Sequence, residues 1–292
     1  MIQPPTELSL QAARRAAALI TAADALLLAN GAGMGVDSGL PDFRGPEGFW
    51  RAYPALGRAG IDFTMAASPA TFHGDPQLAW GFYGHRLALY RRTPPHAGYD
   101  ILRRWGQAKP HGLFVFTSNV DGQFQQAGFP TDRLVEVHGS IHHLQCLRPC
   151  GADLWPADNL DPQVDEVTCR LLSPLPCCPH CGGLARPNVL MFGDSGWIDD
   201  RQARQIARLH AWLATVQRPV IIEIGAGTAV ATVRQFTRWL GRTRDVRLIR
   251  INPREYQVEH ADDLGLPWRA LEGLRRIEAL LYTSSLAHPR EL

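Results

Sequence analysis

The sequence predicts an α/β protein with a doubly wound parallel sheet and a smaller lobe. Several of its apolar runs are too continuous for a sheet with one wet face, so helices are expected to cover both sides. These runs alternate with stretches of helical periodicity, a pattern typical of a parallel sheet joined by crossover helices. The first apolar run also leads directly into a glycine turn, as it does in many nucleotide-binding α/β folds.

Each predicted element follows from its local pattern. The apolar runs predict strands at Ala25–Ala29, Leu113–Thr117, Leu134–Val137, Asn188–Phe192, Val220–Ile224 and Val246–Ile251. The 3.6-residue periodicity predicts helices at Ser9–Thr21, Gln77–Arg91, Tyr99–Gln107, Arg201–Val216, Thr232–Leu240 and Ala270–Leu281.

Two stretches interrupt the alternation and are expected to fold together as the smaller lobe. The first is helical and aromatic, and the second contains the cysteines. The predicted main domain comprises residues 1–43, 96–138 and 187–292, and the predicted lobe comprises residues 44–95 and 139–186. The smaller lobe is therefore inserted in two segments that are separate in sequence and adjacent in space.

Composition excludes some classes of function. The 292 residues are 45% hydrophobic and 20% charged, as in an ordinary globular protein, and their formal net charge is only +2. Such a weak charge gives no indication of a nucleic-acid or membrane partner. The most apolar stretch, residues 16–29, is interrupted by Asp24, so no membrane span is expected and a cytoplasmic protein is predicted. Oligomeric state is not predicted.

The turn after the first strand reads Asn30-Gly31-Ala32-Gly33-Met34-Gly35. Glycines there let backbone amides approach a pyrophosphate, which favours a Rossmann-like dinucleotide site. The turn departs from the Gly-x-Gly-x-x-Gly pattern, and an acidic residue about 20 residues further on is not evident. Ordinary hydride transfer is therefore disfavoured.

All six cysteines lie between Cys146 and Cys181. The motifs Cys146-x3-Cys150-Gly and Cys178-Pro-His-Cys181-Gly resemble two zinc knuckles, so Cys146, Cys150, Cys178 and Cys181 are predicted to bind one Zn²⁺. Four thiolates leave no open coordination position, which indicates a structural metal. Cys169 and Cys177 are expected to be buried free thiols, although Cys177 could replace Cys178 as a ligand.

Several motifs, in order along nearly the whole chain, resemble those of the sirtuins. They are Gly31-Ala32-Gly33-Met34-Gly35-Val36-Asp37-Ser38-Gly39-Leu40-Pro41-Asp42-Phe43-Arg44, Thr117-Ser118-Asn119-Val120-Asp121-Gly122, Val137-His138-Gly139-Ser140, Arg186-Pro187-Asn188-Val189-Leu190-Met191-Phe192-Gly193-Asp194, Gly225-Ala226-Gly227-Thr228 and Ile251-Asn252. The cysteine motifs follow the His138 motif, as they do in that family.

The resemblance implies NAD-dependent removal of acyl groups from the lysines of a protein or peptide, with release of nicotinamide and O-acyl-ADP-ribose. In this interpretation His138 is the base that deprotonates a ribose hydroxyl, Asn119 holds the ribose and a water, and Asp121 accepts from the nicotinamide carboxamide. The implied NAD contacts are Gly31, Ala32, Gly33, Asp42, Phe43, Arg44, Ser118, Asn119, Asp121, Gly225, Ala226, Gly227 and Asn252. Val189 and Phe192 are implied to face the peptide.

The chain departs from the family pattern at a few positions. Ser118 stands where sirtuins usually have glutamine, which alters one ribose contact. Gly35 replaces a frequent serine, and Asp37 adds a charge beside the dinucleotide. Gly225-Ala226-Gly227 lacks the hydroxyls that the family offers there, and the first knuckle is one residue longer than usual.

Tyr83 and Arg86 are three residues apart on a predicted helix and therefore share one of its faces. They resemble the Tyr-x-x-Arg pair with which desuccinylase-type sirtuins bind a distal carboxylate. The pair predicts a preference for acidic acyl groups, succinyl or malonyl. The alternative interpretation is a surface arginine beside a packing tyrosine.

Two functions of other classes stay open. The protein could be an ADP-ribosyltransferase or an NAD hydrolase, which share nicotinamide release but not the acyl acceptor. It could also be a non-catalytic NAD-sensing module. The combination of Asn119, Asp121 and His138 favours the deacylase over both.

Overall fold

A six-stranded sheet forms the centre of the computed structural model, which describes residues 7–42 and 45–286. The strands of the described residues are β1 Ala25–Asn30, β2 Leu113–Thr117, β3 Leu134–Glu136, β4 Gly139–Cys146, β5 Trp155–Pro156, β6 Val164–Asp165, β7 Arg170–Leu171, β8 Ala185–Val189, β9 Pro219–Ile224, β10 Arg247–Ile251 and β11 Leu264–Leu266.

The helices of the same residues are α1 Glu7–Ala22, α2 Gly45–Ala52, α3 Pro54–Arg58, α4 Phe63–Ala66, α5 Pro69–Gly74, α6 Pro76–Arg92, α7 Gly98–Gln107, α8 Gln123–Gln126, α9 Asp200–Leu213, α10 Thr232–Thr243 and α11 Ala270–Leu286. Short 3₁₀ helices lie at Ala32–Ser38 and Thr131–Arg133. No helix in this part of the chain combines the length and apolarity needed to cross a membrane.

The large sheet has the strand order β11-β10-β9-β1-β2-β3, and every neighbouring pair is parallel. This order places the topological switch point between β1 and β9, where ligands bind in open α/β sheets. The prediction of a doubly wound parallel sheet is confirmed.

Both faces of the sheet are buried because alternate residues of five of its six strands, β1, β2, β3, β9 and β10, enter two different hydrophobic cores. In β1, Leu26 and Leu28 pack with α1, α7 and α11, whereas Leu27 packs with α9 and α10 on the opposite face. This double burial explains why the strands read as continuous apolar runs instead of alternating ones.

A third core joins the helical segment to the cysteine-bearing segment. It contains Phe49 and Trp80 from the first segment and Ile141, Leu144 and Leu171 from the second. This packing agrees with a smaller lobe made from two insertions, and the exact division of the chain into domains stays a prediction.

The prediction of a strand at Asn188–Phe192 is wrong in position and in partner. The observed strand, β8, ends at Val189 and pairs antiparallel with β4 in a separate three-stranded sheet. Its polar residues obscure it in the sequence: Arg186 and Asn188 are buried and bonded to Asp194 and to Gln145.

Candidate active site

A cavity of about 660 Å³ opens at the carboxyl edge of the large sheet. Loops that follow β1, β2, β3 and β9 form its floor, which is where a doubly wound fold binds ligands. The sequence-predicted residues in its wall are Gly31, Ala32, Gly33, Asp42, Tyr83, Arg86, Ser118, Asn119, Asp121, His138, Val189, Phe192, Gly225, Ala226 and Gly227.

The glycine turn after β1 packs backbone to backbone against the loop after β9. A Cβ atom on Gly33 would lie 2.7 Å from the Cα of Gly225, closer than real Cβ atoms approach. Gly225 itself has a positive φ of 65°. Because both loops lack side chains here, they approach closely and leave the cavity floor lined largely by backbone.

Asn119 and Asp121 follow β2 and are both buried. Asn119 Nδ2 donates to the carbonyl of Gly31 at 3.2 Å, which ties the β2 loop to the glycine turn. Asp121 Oδ1 accepts from the backbone N–H of Gln123 at 2.9 Å. His142 Nε2 donates to the Asp121 carbonyl at 2.9 Å, so this loop is held from two sides.

Burial raises the pKa of the Asp121 carboxyl to about 6, and the charge of Glu136 adds to that increase. The Gln123 hydrogen bond and the charge of Arg86 act in the opposite direction. Asp121 is therefore a carboxylate at neutral pH that takes a proton in mild acid.

His138 follows β3 and is half-buried in the cavity wall. Burial lowers the pKa of its imidazole, and interaction with the backbone of Ser118 partly opposes that decrease. A neutral ring at physiological pH can accept a proton, as a general base must. Its Nε2 lies 3.0 Å from Oγ1 of Thr232.

Tyr83 and Arg86 lie on one face of α6, and both are buried in the cavity wall. Arg86 Nε donates to Tyr90 Oη at 2.9 Å. Its guanidinium carbon lies 5.2, 5.6 and 5.4 Å from the ring centres of Phe82, Tyr83 and Tyr90. The interpretation of Arg86 as a surface residue is therefore wrong, because the cation is enclosed by aromatic rings.

Asn252 is a predicted NAD contact that does not line the cavity. Phe43 and Arg44 lie outside the described residues. Asn252 is fully buried behind the β9 loop, where its Nδ2 donates to the carbonyl of Ala226 at 2.9 Å. In this geometry Asn252 supports the loop, and its oxygen accepts from the backbone of Arg254 and Glu255.

Sequence reasoning missed several cavity residues, chiefly Tyr90, Asp62, Phe63, Val230 and Thr232. Tyr90 lies one helical turn beyond Arg86, so the helical periodicity of the sequence could have identified it as a neighbour of that residue. Thr232 begins α10 and reaches His138 across 94 positions of sequence, so no local pattern could reveal it.

The four predicted zinc ligands come together. The sulfur atoms of Cys146, Cys150, Cys178 and Cys181 all lie within 4.8 Å of one another. The Cys146–Cys181 and Cys150–Cys178 separations are 3.6 and 3.7 Å. A tetrahedron with Zn–S bonds of about 2.3 Å has edges of roughly 3.8 Å, so the cluster fits a structural zinc.

The two remaining cysteines differ from each other. Cys169 is buried, as expected, and burial raises the pKa of its thiol to about 11. Cys177 is exposed and its sulfur donates to the carbonyl of Leu175 at 3.5 Å, so the expectation of a buried thiol is wrong there. Cys178, not Cys177, completes the cluster.

Comparison with known proteins agrees with this arrangement. Residues 31–231 match the model of the Sir2 family. An NAD-dependent protein deacylase 2 of Pyrobaculum aerophilum is 31% identical over 85% of this chain and 87% of its own length. An NAD-dependent protein deacylase of Aquifex aeolicus is 28% identical over 85% of this chain and 91% of its own length.

Solved structures show the same fold. A Sir2 homolog in complex with NAD superposes with a TM-score of 0.72 at 23% identity, covering 92% of this chain and 94% of its own. A Sir2 variant with a deacetylated p53 peptide and 3′-O-acetyl ADP-ribose gives 0.62 at 19% identity, covering 91% and 97%. With its fold, its cavity and the match of its sequence, this chain belongs to the Sir2 family.

Proposed function

We propose that this protein is an NAD-dependent deacylase of protein lysines, with His138 as its base. One observation carries the proposal: Asn119, Asp121 and His138 converge on a single cavity whose floor is formed by the two glycine loops. Relatives named as NAD-dependent protein deacylases support it across most of the chain.

The cavity has features that suit a dinucleotide. The loops at Gly31–Gly33 and Gly225–Gly227 pack backbone to backbone and both line the cavity. Thr232 and Val233, the first residues of α10, also line the cavity, so the positive end of this 12-residue helix faces it. Backbone amides and a helix N-terminus together favour a pyrophosphate.

Bound NAD would supply the ribose carbon that receives the acyl oxygen and the nicotinamide that leaves. The protein's own residues hold and orient the reactants. At neutral pH Asp121 is an acceptor for a carboxamide N–H, and Asn119 can hydrogen-bond a hydroxyl or a water. His138 takes a hydroxyl proton at Nε2 when its ring is neutral.

A product assay tests this function and separates it from its rivals. The full chain is incubated with NAD and an acyl-lysine peptide, and the products are identified by mass spectrometry. A deacylase yields nicotinamide, free lysine and O-acyl-ADP-ribose. Free ADP-ribose alone would indicate an NAD hydrolase, an ADP-ribosylated protein would indicate a transferase, and NAD binding without turnover would indicate a sensor.

Replacement of His138 tests the role of the base. His138→Ala should lower turnover by roughly a hundred- to ten-thousand-fold, as loss of a general base does, while NAD still binds. Near-normal turnover in a folded variant would contradict the mechanism. Loss of folding would favour a structural role for the ring.

We also propose that the enzyme prefers acidic acyl groups, succinyl or malonyl, over acetyl. The buried guanidinium of Arg86 lines the cavity, and a permanent cation in a buried position is a good partner for an incoming carboxylate. Tyr83 Oη is also buried, and within the described residues it has no hydrogen-bond partner. If Tyr83 Oη donated a hydrogen bond to the same carboxylate, this hydroxyl would be satisfied.

The preference is tested by kcat/KM on succinyl-lysine and acetyl-lysine forms of one peptide. Arg86→Met should lower succinyl turnover roughly ten- to a hundred-fold, the value of one charge-assisted hydrogen bond, and leave acetyl turnover equal or better. Arg92→Met is the matched control, because Arg92 is exposed on the same helix. A better acetyl than succinyl substrate for the unmodified enzyme would eliminate the proposal.

A further inference from the structure

Thr232 is the first residue of α10 and places its hydroxyl on the proposed base. Its Oγ1 lies 3.0 Å from Nε2 of His138, and both residues are half-buried in the cavity wall. The contact joins the end of β3 to the start of α10, two elements far apart in sequence.

The ring of His138 has contacts on both of its nitrogen sides. Nε2 meets the Thr232 hydroxyl, which leaves Nδ1 for the interaction of the ring with the backbone of Ser118. In the neutral tautomer that carries its single N–H on Nδ1, Nε2 is bare and the Thr232 hydroxyl donates to it.

We propose that Thr232 is a positioning residue that fixes the ring of His138 with a bare Nε2 turned to the cavity. This inference rests on the proposed role of His138 as a base. A hydroxyl both donates and accepts. Nε2 has a single lone pair, so a substrate hydroxyl that donates to it displaces the hydrogen of Thr232. When the substrate O–H bond then breaks and its proton forms an N–H bond at Nε2, the Thr232 oxygen can accept from that N–H.

The first test observes the ring without substrate. In ¹⁵N spectra of the full chain, Nε2 of His138 should show the shift of a hydrogen-bonded, unprotonated nitrogen. In Thr232→Val it should move toward the shift of a free one, and Thr232→Ser should restore it. Thr243→Val on the same helix is the control, since Thr243 is exposed and bonds to Trp239. An identical Nε2 shift in the unmodified protein and Thr232→Val would overturn the proposal.

The second test measures turnover with NAD and an acyl peptide. Loss of one neutral hydrogen bond predicts a roughly two- to tenfold lower kcat for Thr232→Val, with KM for NAD unchanged and kcat restored by Thr232→Ser. An unchanged or higher kcat in Thr232→Val would overturn the positioning role. A lack of deacylation by the unmodified enzyme would instead overturn the proposed function, so the two failures are distinguishable.

Discussion

Asp121 and His138 show how one environment prepares two groups in different ways. Burial disfavours the charged form of each, so it raises the pKa of the carboxyl to about 6 and lowers that of the imidazole. At neutral pH the acid is a carboxylate and the imidazole is neutral. These are the forms that an acceptor and a base require.

The raised pKa of Asp121 lowers the stability of the folded protein at neutral pH. The folded-state pKa lies above the unfolded one, so the favourable contribution is complete in acid and is lost as pH rises from about 4 to 6. We expect Asp121→Asn to raise the free energy of unfolding by roughly 2–3 kcal/mol at pH 8 and to lower activity. Urea unfolding at pH 8 and at pH 3.5 measures the effect.

At pH 3.5 the two proteins should be nearly equal in stability, because the carboxyl is then protonated in the folded state and mostly protonated in the unfolded state. The asparagine can still accept the Gln123 hydrogen bond that Asp121 accepts. Asp132→Asn, at an exposed carboxyl, is the control and should change little at either pH. An Asp121→Asn variant that is less stable at pH 8 would show that burial does not dominate.

Single residues could be assigned from the sequence when they lie next to a glycine turn or a strand end. Asn119, Asp121 and His138 are of this kind, and all three line the cavity. Asn252 also follows a strand, β10, but its surroundings are made by tertiary contacts, and so are those of Thr232. The sequence cannot tell a buried amide that supports a loop from one that faces a ligand.

At the scale of elements, a buried ion pair fixes the strand that presents His138. Glu136 on β3 is fully buried and pairs with Arg201 on α9. The backbone N–H of Glu136 donates to Gln205 Oε1, also on α9. Because Glu136 is two residues before the proposed base, α9 helps to determine where the base lies.

Removal of one partner of this ion pair should lower the free energy of unfolding more than removal of both partners. Arg201→Met leaves the Glu136 carboxylate buried without its cation, so we expect a loss of about 2–4 kcal/mol in unfolding free energy. The Glu136→Gln/Arg201→Met double variant should recover part of that loss. Arg204→Met, at an exposed position of the same helix, is the control. Equal stability of Arg201→Met and the unmodified protein in urea would show that the pair does not hold β3.

Five of the six strands of the large sheet were predictable because both of their faces are apolar, whereas the three-residue strand β11 was not predicted. Five predicted strands and the six predicted helices have observed counterparts, with ends that differ by a few residues. By contrast, β4 and β8 are rich in polar residues that are satisfied only inside the fold, as with Gln145 and Asn188. Local hydrophobic periodicity does not report such strands.

At the scale of the molecule, two parts of the fold that are stabilised in different ways form the walls of the cavity. The floor comes from loops of the large sheet, while Tyr83, Arg86, Val189 and Phe192 belong to elements around the third core and the cysteine cluster. Hydrophobic burial holds the sheet on both faces. The cluster brings together the end of β4 and the segment before β8 through the sulfur atoms of four cysteines.

Removal of the metal should therefore unfold one part of the site and leave the other part folded. Binding free energy at a structural zinc is folding free energy, so chelation should release β4, β5 and β8 while the large sheet stays folded. Hydrogen exchange followed by mass spectrometry should show lost protection at Gly139–Cys146 and Ala185–Val189 and retained protection at Ala25–Asn30. Deacylation should be lost together with the protection of Gly139–Cys146 and Ala185–Val189. Cys146→Ser should reproduce this result, whereas Cys177→Ser, outside the cluster, should keep one equivalent of zinc and full protection. Uniform loss of protection in all three strands would show instead that the protein unfolds as one unit.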